Sequence, residues 1–77
     1  MCLAVPGLIL DMRESEAVVD FQGNRLAVST VLTPEARPGD WVLVHAGFSL
    51  TVLPEAEARE TWSYLAEIGA TEVQADG

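Results

Sequence analysis

Lysine is absent from this chain. Its only cations are Arg13, Arg25, Arg37 and Arg59, set against 12 carboxylates for a formal net charge of −8 over 77 residues. Nucleic-acid phosphates call for clustered cations, so this balance argues strongly against a nucleic-acid binder. It argues as strongly against an anionic membrane surface. With one cysteine, Cys2, no internal disulfide can form, and the staple of small secreted domains is missing. No apolar run is long enough for a membrane-spanning helix. The first residues lack the basic and long apolar regions of a secretory signal. These absences together predict a cytoplasmic protein in a reducing compartment. Glycine-rich phosphate loops and any recognisably spaced Ser-His-Asp set are missing too. A chain of 77 residues holds one domain and one core, with no room for a deep cleft. An adaptor or carrier is therefore expected rather than a stand-alone enzyme.

The chain is 49% hydrophobic, enough for a folded core, and its pattern over residues 1–53 is that of strands. Leu3-Ala4-Val5-Pro6-Gly7-Leu8-Ile9-Leu10 is apolar but carries a proline and a glycine, which predicts a bend or bulge at a sheet edge. A polar turn follows over 12–15. Ala17 to Phe21 and Arg25 to Leu32 then flank Gln22-Gly23-Asn24 as a hairpin. Residues 33–40 carry two prolines and a glycine and form the clearest loop. Trp41 to Leu53 would span about 43 Å as one strand, too long for so small a domain, which predicts a break and sharp corner at Ala46-Gly47. Alternation puts Trp41, Leu43 and His45 on one face. Val42, Val44, Ala46, Phe48, Leu50 and Val52 fall on the other, the expected core side.

From Pro54 the period changes. Ala58, Trp62, Leu65 and Ile68 share one helical face, with Glu55 and Glu57 near the start and Gly69 as the closing cap. The fold expected is mainly β: a small closed or nearly closed five-stranded barrel over 1–53, with an amphipathic helix over 54–69 laid on an open seam. The aperiodic stretch 70–77 is expected to be a flexible tail.

Two residues stand out chemically. Initiator methionine is usually removed before a small residue, so the mature chain is expected to begin at Cys2. That one residue then offers a soft thiolate and an α-amine that titrates near pH 8. A lone internal cysteine is more often a small buried hydrophobe, but a chain terminus is a poor place for burial. His45, the only histidine, has two readings: a structural residue bonded to backbone, or a ligand close to the corner. One Cys and one His are too few for a zinc site, so a metal held here would bring other ligands or borrow them from a partner.

The opening Met1-Cys2-Leu3-Ala4-Val5-Pro6-Gly7 and the block Gly39-Asp40-Trp41-Val42-Leu43-Val44-His45-Ala46-Gly47-Phe48 together resemble the HypC/HupF family of small [NiFe]-hydrogenase maturation chaperones. The resemblance covers nearly the whole chain and is weakest from Ala70 onward. It implies an OB-like β-barrel followed by a C-terminal helix. It implies a HypD-type iron–sulfur maturation protein as partner, a transient Fe(CN)2CO unit shared with that partner, and delivery to the hydrogenase large-subunit precursor. Cys2 matches the family's essential cysteine, His45 its histidine and Pro6 its N-terminal proline. Cys2 and His45 are thus the expected iron ligands, and Cys2, Leu3, Pro6 and Gly7 the expected partner contacts. Leu8 departs from the polar residue common at that position. The middle region is compact, and the C-terminal part is short for a second helix.

The residues fit such a role. Iron that already carries strong-field diatomic ligands needs only one or two soft donors, and a site held by one cysteine releases its cargo readily. Three rivals remain open. An OB-type oligonucleotide binder would need a cationic, aromatic groove. An N-terminal cysteine nucleophile would need a substrate cleft and oxyanion site. A plain OB-like interaction adaptor would need neither metal nor thiol.

Overall fold

The computed structural model describes residues 4–67. Cys2 and Leu3 lie outside them, as do Ile68, Gly69 and the expected tail. Five strands precede one helix: β1 Val5–Arg13, β2 Glu16–Phe21, β3 Asn24–Ser29, β4 Trp41–His45, β5 Phe48–Leu53 and α1 Glu55–Glu67. The strands close into a barrel in the order β1-β2-β3-β5-β4. All pairings are antiparallel except β3 with β5, which meet in parallel at Ser29 and Phe48. This is the expected mainly β barrel with a C-terminal helix.

Ile9, Val19 and Val42 are fully buried and, with Ala17, Val28, Ala36 and Val44, make a small aliphatic core. The side chains are short because a five-stranded barrel has a narrow interior. Three hairpins turn in two residues each, at Glu14-Ser15, Gln22-Gly23 and Ala46-Gly47, and the last two share one geometry. Gln22 and Gly23 have φ 56° and 99°, and Ala46 and Gly47 have φ 56° and 85°. Two successive positive φ values match the right-handed twist of the flanking strands.

Four expectations are corrected. Pro6-Gly7 does not bend β1, which runs unbroken past both and bulges instead at Leu10, between the pairs Ile9–Val19 and Asp11–Val18. Gly7 is required by space: a Cβ there would come 2.3 Å from Val19 Cγ1 and 2.7 Å from Phe21 Cε1. The strand that returns from Gln22-Gly23 ends at Ser29, not Leu32. The Thr30 N–H donates to the Ser15 carbonyl at 2.8 Å and the chain turns away, leaving Val31 and Leu32 exposed. The break at Ala46-Gly47 is a hairpin reversal rather than a corner, and the alternation does not carry through it. A register shift on β5 between the partners of Leu43 and Val44 makes Leu50 the extra residue. Phe48 and Leu50 therefore face out, and Ser49 is fully buried in the place expected for an apolar side chain. Finally, α1 packs on β1 and β4, but these two strands are hydrogen-bonded to each other, so the helix lies on a closed wall and not an open seam.

Loop 30–40 plugs one end of the barrel. Ala36 enters the core, and Thr30 and Thr33 are buried. The Thr33 hydroxyl donates to Ser49 Oγ at 2.8 Å, which satisfies both groups in an apolar setting. The Gly39 N–H donates to the Ile9 carbonyl at 2.8 Å, and the Ile9 N–H donates to the Asp40 carbonyl at 2.9 Å, lacing the loop to β1.

Candidate functional site

The Ser29 N–H donates to the Gly47 carbonyl at 2.9 Å, which ties the Ala46-Gly47 turn to the end of β3, and the end of β4 that leads into this turn lies beside the start of β1. The register places the candidate residues there. Val5 pairs with Val44, Pro6 with Leu43, and Leu8 with Trp41. One further step faces position 4 with His45. Because the Gly7 Cβ direction points at Val19 and Phe21 inside the barrel, Pro6 and Leu8 face outward. Trp41, Leu43 and His45 share that outer wall by pairing, while Val42 and Val44 are buried inside.

Pro6 is fully buried although it faces out, because α1 covers this wall. The Trp62 indole N–H donates to the Pro6 carbonyl at 3.0 Å. Ala58 is completely buried on the same helical face, and Thr61, Trp62 and Leu65 are half-buried. The helix begins where the Ala58 N–H donates to the Pro54 carbonyl at 3.0 Å, just after Leu53, which pairs with Trp41. From that row it runs toward Pro6. Leu8, paired with Trp41, extends an apolar row across β1, β4 and β5, which is what the departure from a polar residue does here.

His45 is half-buried at the last position of β4, opposite Phe48 across the turn. No hydrogen bond among the described residues involves its imidazole, so the backbone-bonded structural reading finds no partner in them. Phe48 is 43% exposed and Leu26 is 59% exposed, each within three residues of a two-residue turn. Among the described residues no group of three or more Cys, His, Asp and Glu side chains stands in metal-binding array. Cys2 and Leu3, sought from the sequence, are not placed. Covalent geometry still limits them: Cys2 is three residues from Val5, so their Cα atoms lie within about 11 Å. His45, adjacent to Val5's partner, falls inside that reach. Trp62 is the residue sequence reasoning undervalued, as a wall residue only. Its helical position marked it for packing, and nothing in the sequence paired its N–H with Pro6.

No helix among the described residues is long and apolar enough to cross a membrane. The sequence profile of the HupF/HypC family matches residues 1–65. Among curated proteins, the hydrogenase maturation factor HypC of Azotobacter chroococcum mcd 1 is 43% identical over 90% of this chain and 83% of its own length. The factor of the same name from a Synechocystis strain is 36% identical over 90% of this chain and 99% of its own. That of Escherichia coli K12 is 42% identical over 79% of this chain and 74% of its own. A profile spanning both sequence blocks and the barrel, with relatives this similar across about three quarters or more of their own length, places the chain in the HupF/HypC family.

Proposed function

We propose that this protein is an assembly chaperone in hydrogenase maturation that does no bond chemistry of its own. In this reading it pairs with a HypD-type iron–sulfur protein, holds or presents iron carrying cyanide and carbon monoxide, and passes that cargo to the large-subunit precursor. The observation that carries the reading is the family match over 1–65, which includes Cys2 and the 39–48 block. The names of the three relatives supply the pathway. The tether from Val5, with His45 inside its reach, supports a site beside the start of β1 and the end of β4.

Cys2 is the iron donor and partner contact in this account, with Leu3, Pro6 and Gly7 beside it and His45 as a second donor. The thiolate is a soft ligand suited to low-spin iron, and one protein donor leaves the cargo easy to release. Pro6 and Gly7 contribute by holding the root of the arm. Pro6 carries a fixed φ, and Gly7 is wedged against Val19 and Phe21.

The test is co-purification with the partner followed by infrared spectroscopy of the complex. Cyanide and carbonyl stretching bands are expected, and Cys2→Ala is expected to abolish them and weaken the complex. Unchanged bands and pull-down in Cys2→Ala would leave a plain adaptor. Intact mass of the purified chain, expected to lack Met1, checks that the amine beside the thiol is free.

A further inference from the structure

We infer that Trp62 is a positioning residue for the cysteine arm: through its bond to the Pro6 carbonyl, α1 sets the direction in which the chain leaves the barrel toward Cys2. This inference rests on the reading that Cys2 meets cargo and partner.

Three constraints converge on the root of the arm. The proline ring fixes φ at residue 6, and the residue before a proline is confined to extended backbone, so Val5 is restricted as well. On the inner side, Gly7 has no space to shift toward Val19 and Phe21. On the outer side, the Trp62 indole holds the oxygen of the 6–7 peptide at 3.0 Å. The first acts within β1 itself and the second comes from the neighbouring strand β2. The third reaches it from α1, 56 residues away in sequence, and is the only one made by a directional side-chain bond. Pro6 brings no N–H to the wall, so its carbonyl is the one polar backbone group of that residue available to be held. Leu or Phe at position 62 would fill the same groove against β1 and β4. The indole adds a directional bond that packing does not require.

A rigid root matters for a single-donor site. With one protein ligand, geometry is set by where the arm points rather than by a cage around the metal. Loss of the bond frees the peptide plane four residues from the sulfur and leaves the barrel core untouched, because Trp62 is no part of it.

The test compares Trp62→Phe with the parent, alone and with the HypD-type partner. A net hydrogen bond of about 1 kcal/mol corresponds to roughly fivefold, so amide exchange at Val5 and Gly7 is expected to quicken by roughly that factor. Exchange at Val19 and Val42 should hold at the parental rate. Affinity for the partner should fall by a similar factor, and the fall should vanish when the same change is made in a Cys2→Ala chain. Exchange that quickens uniformly through the barrel would make Trp62 a general structural residue and overturn the inference. So would equal loss of affinity with and without the thiol. If Cys2→Ala weakens the complex and Trp62→Phe does not, only the positioning role falls. If Cys2→Ala itself is silent, the Cys2 reading falls and takes this one with it.

Discussion

The two ends of the barrel are built differently. At one end loop 30–40 inserts Ala36 into the core, joins Thr33 to Ser49 and laces Gly39 and Asp40 to Ile9. Toward the start of β1 the described residues make two-residue turns with no loop inserted among them, and Phe48 and Leu26 are exposed beside those turns. A barrel this small has little apolar area to spare, so the loop side chains that seal one end add to a short supply of buried surface. Among the described residues, buried packing is concentrated at the plug and along the β1–β4 wall.

That contrast can be broken experimentally. The largest effect is expected at the wall between the ends. Gly7→Ala forces a methyl into Val19 and Phe21 and should cost about 3 kcal/mol by urea denaturation. A parental midpoint would mean the strands do not approach as closely as the coordinates place them. Next comes the plug. Thr33→Val leaves the Ser49 hydroxyl buried without its partner and should cost about 2 kcal/mol. Thr33→Val with Ser49→Ala should recover part of this, and a double variant no better than the single would argue against the pair. At the Ala46-Gly47 turn the sign reverses. Ala46→Gly relieves a side chain held at φ 56° and should stabilise by about 1 kcal/mol, read as a raised denaturation midpoint. Smallest in stability is His45→Gln, expected within about 0.5 kcal/mol of the parent because the ring bonds no described residue. Its effect should appear in the iron-bearing complex, as shifted cyanide and carbonyl bands; bands identical to the parent would remove His45 from the site.

Much of the architecture could be read from local signals. Gln22-Gly23 and Ala46-Gly47 broke the strands where the turns stand, and the change of period at Pro54 marked the helix within a residue of its start. The errors came from effects that alternation cannot express. One extra residue at Leu50 reverses the inward and outward assignment of everything N-terminal to it on β5, so Ser49 went to the core and Phe48 to the surface. Gly7 looked like a bend because its cause, two side chains from β2, lies more than ten residues away. The candidate site was legible in composition and not in arrangement. Cys2 and His45 stood out as the lone members of their residue types. That His45 falls within covalent reach of Cys2 depends on β1 pairing with β4, which no local pattern encodes. Trp62 was legible as an apolar helix position, but its partner, a backbone carbonyl, carries no residue-type signal.

The pairing of Val5 with Val44 and Leu8 with Trp41 joins stretches more than thirty residues apart. Every other antiparallel ladder in the barrel links neighbours in sequence. Contacts of long separation form late, since the loop must close before they repay its entropy. Closure of β1 onto β4 is thus the late step, with the Glu14-Ser15, Gln22-Gly23 and Ala46-Gly47 hairpins assembled ahead of it. The same ladder is where the finished ring would unlatch at least cost, parting β1 from β4 while the hairpins persist.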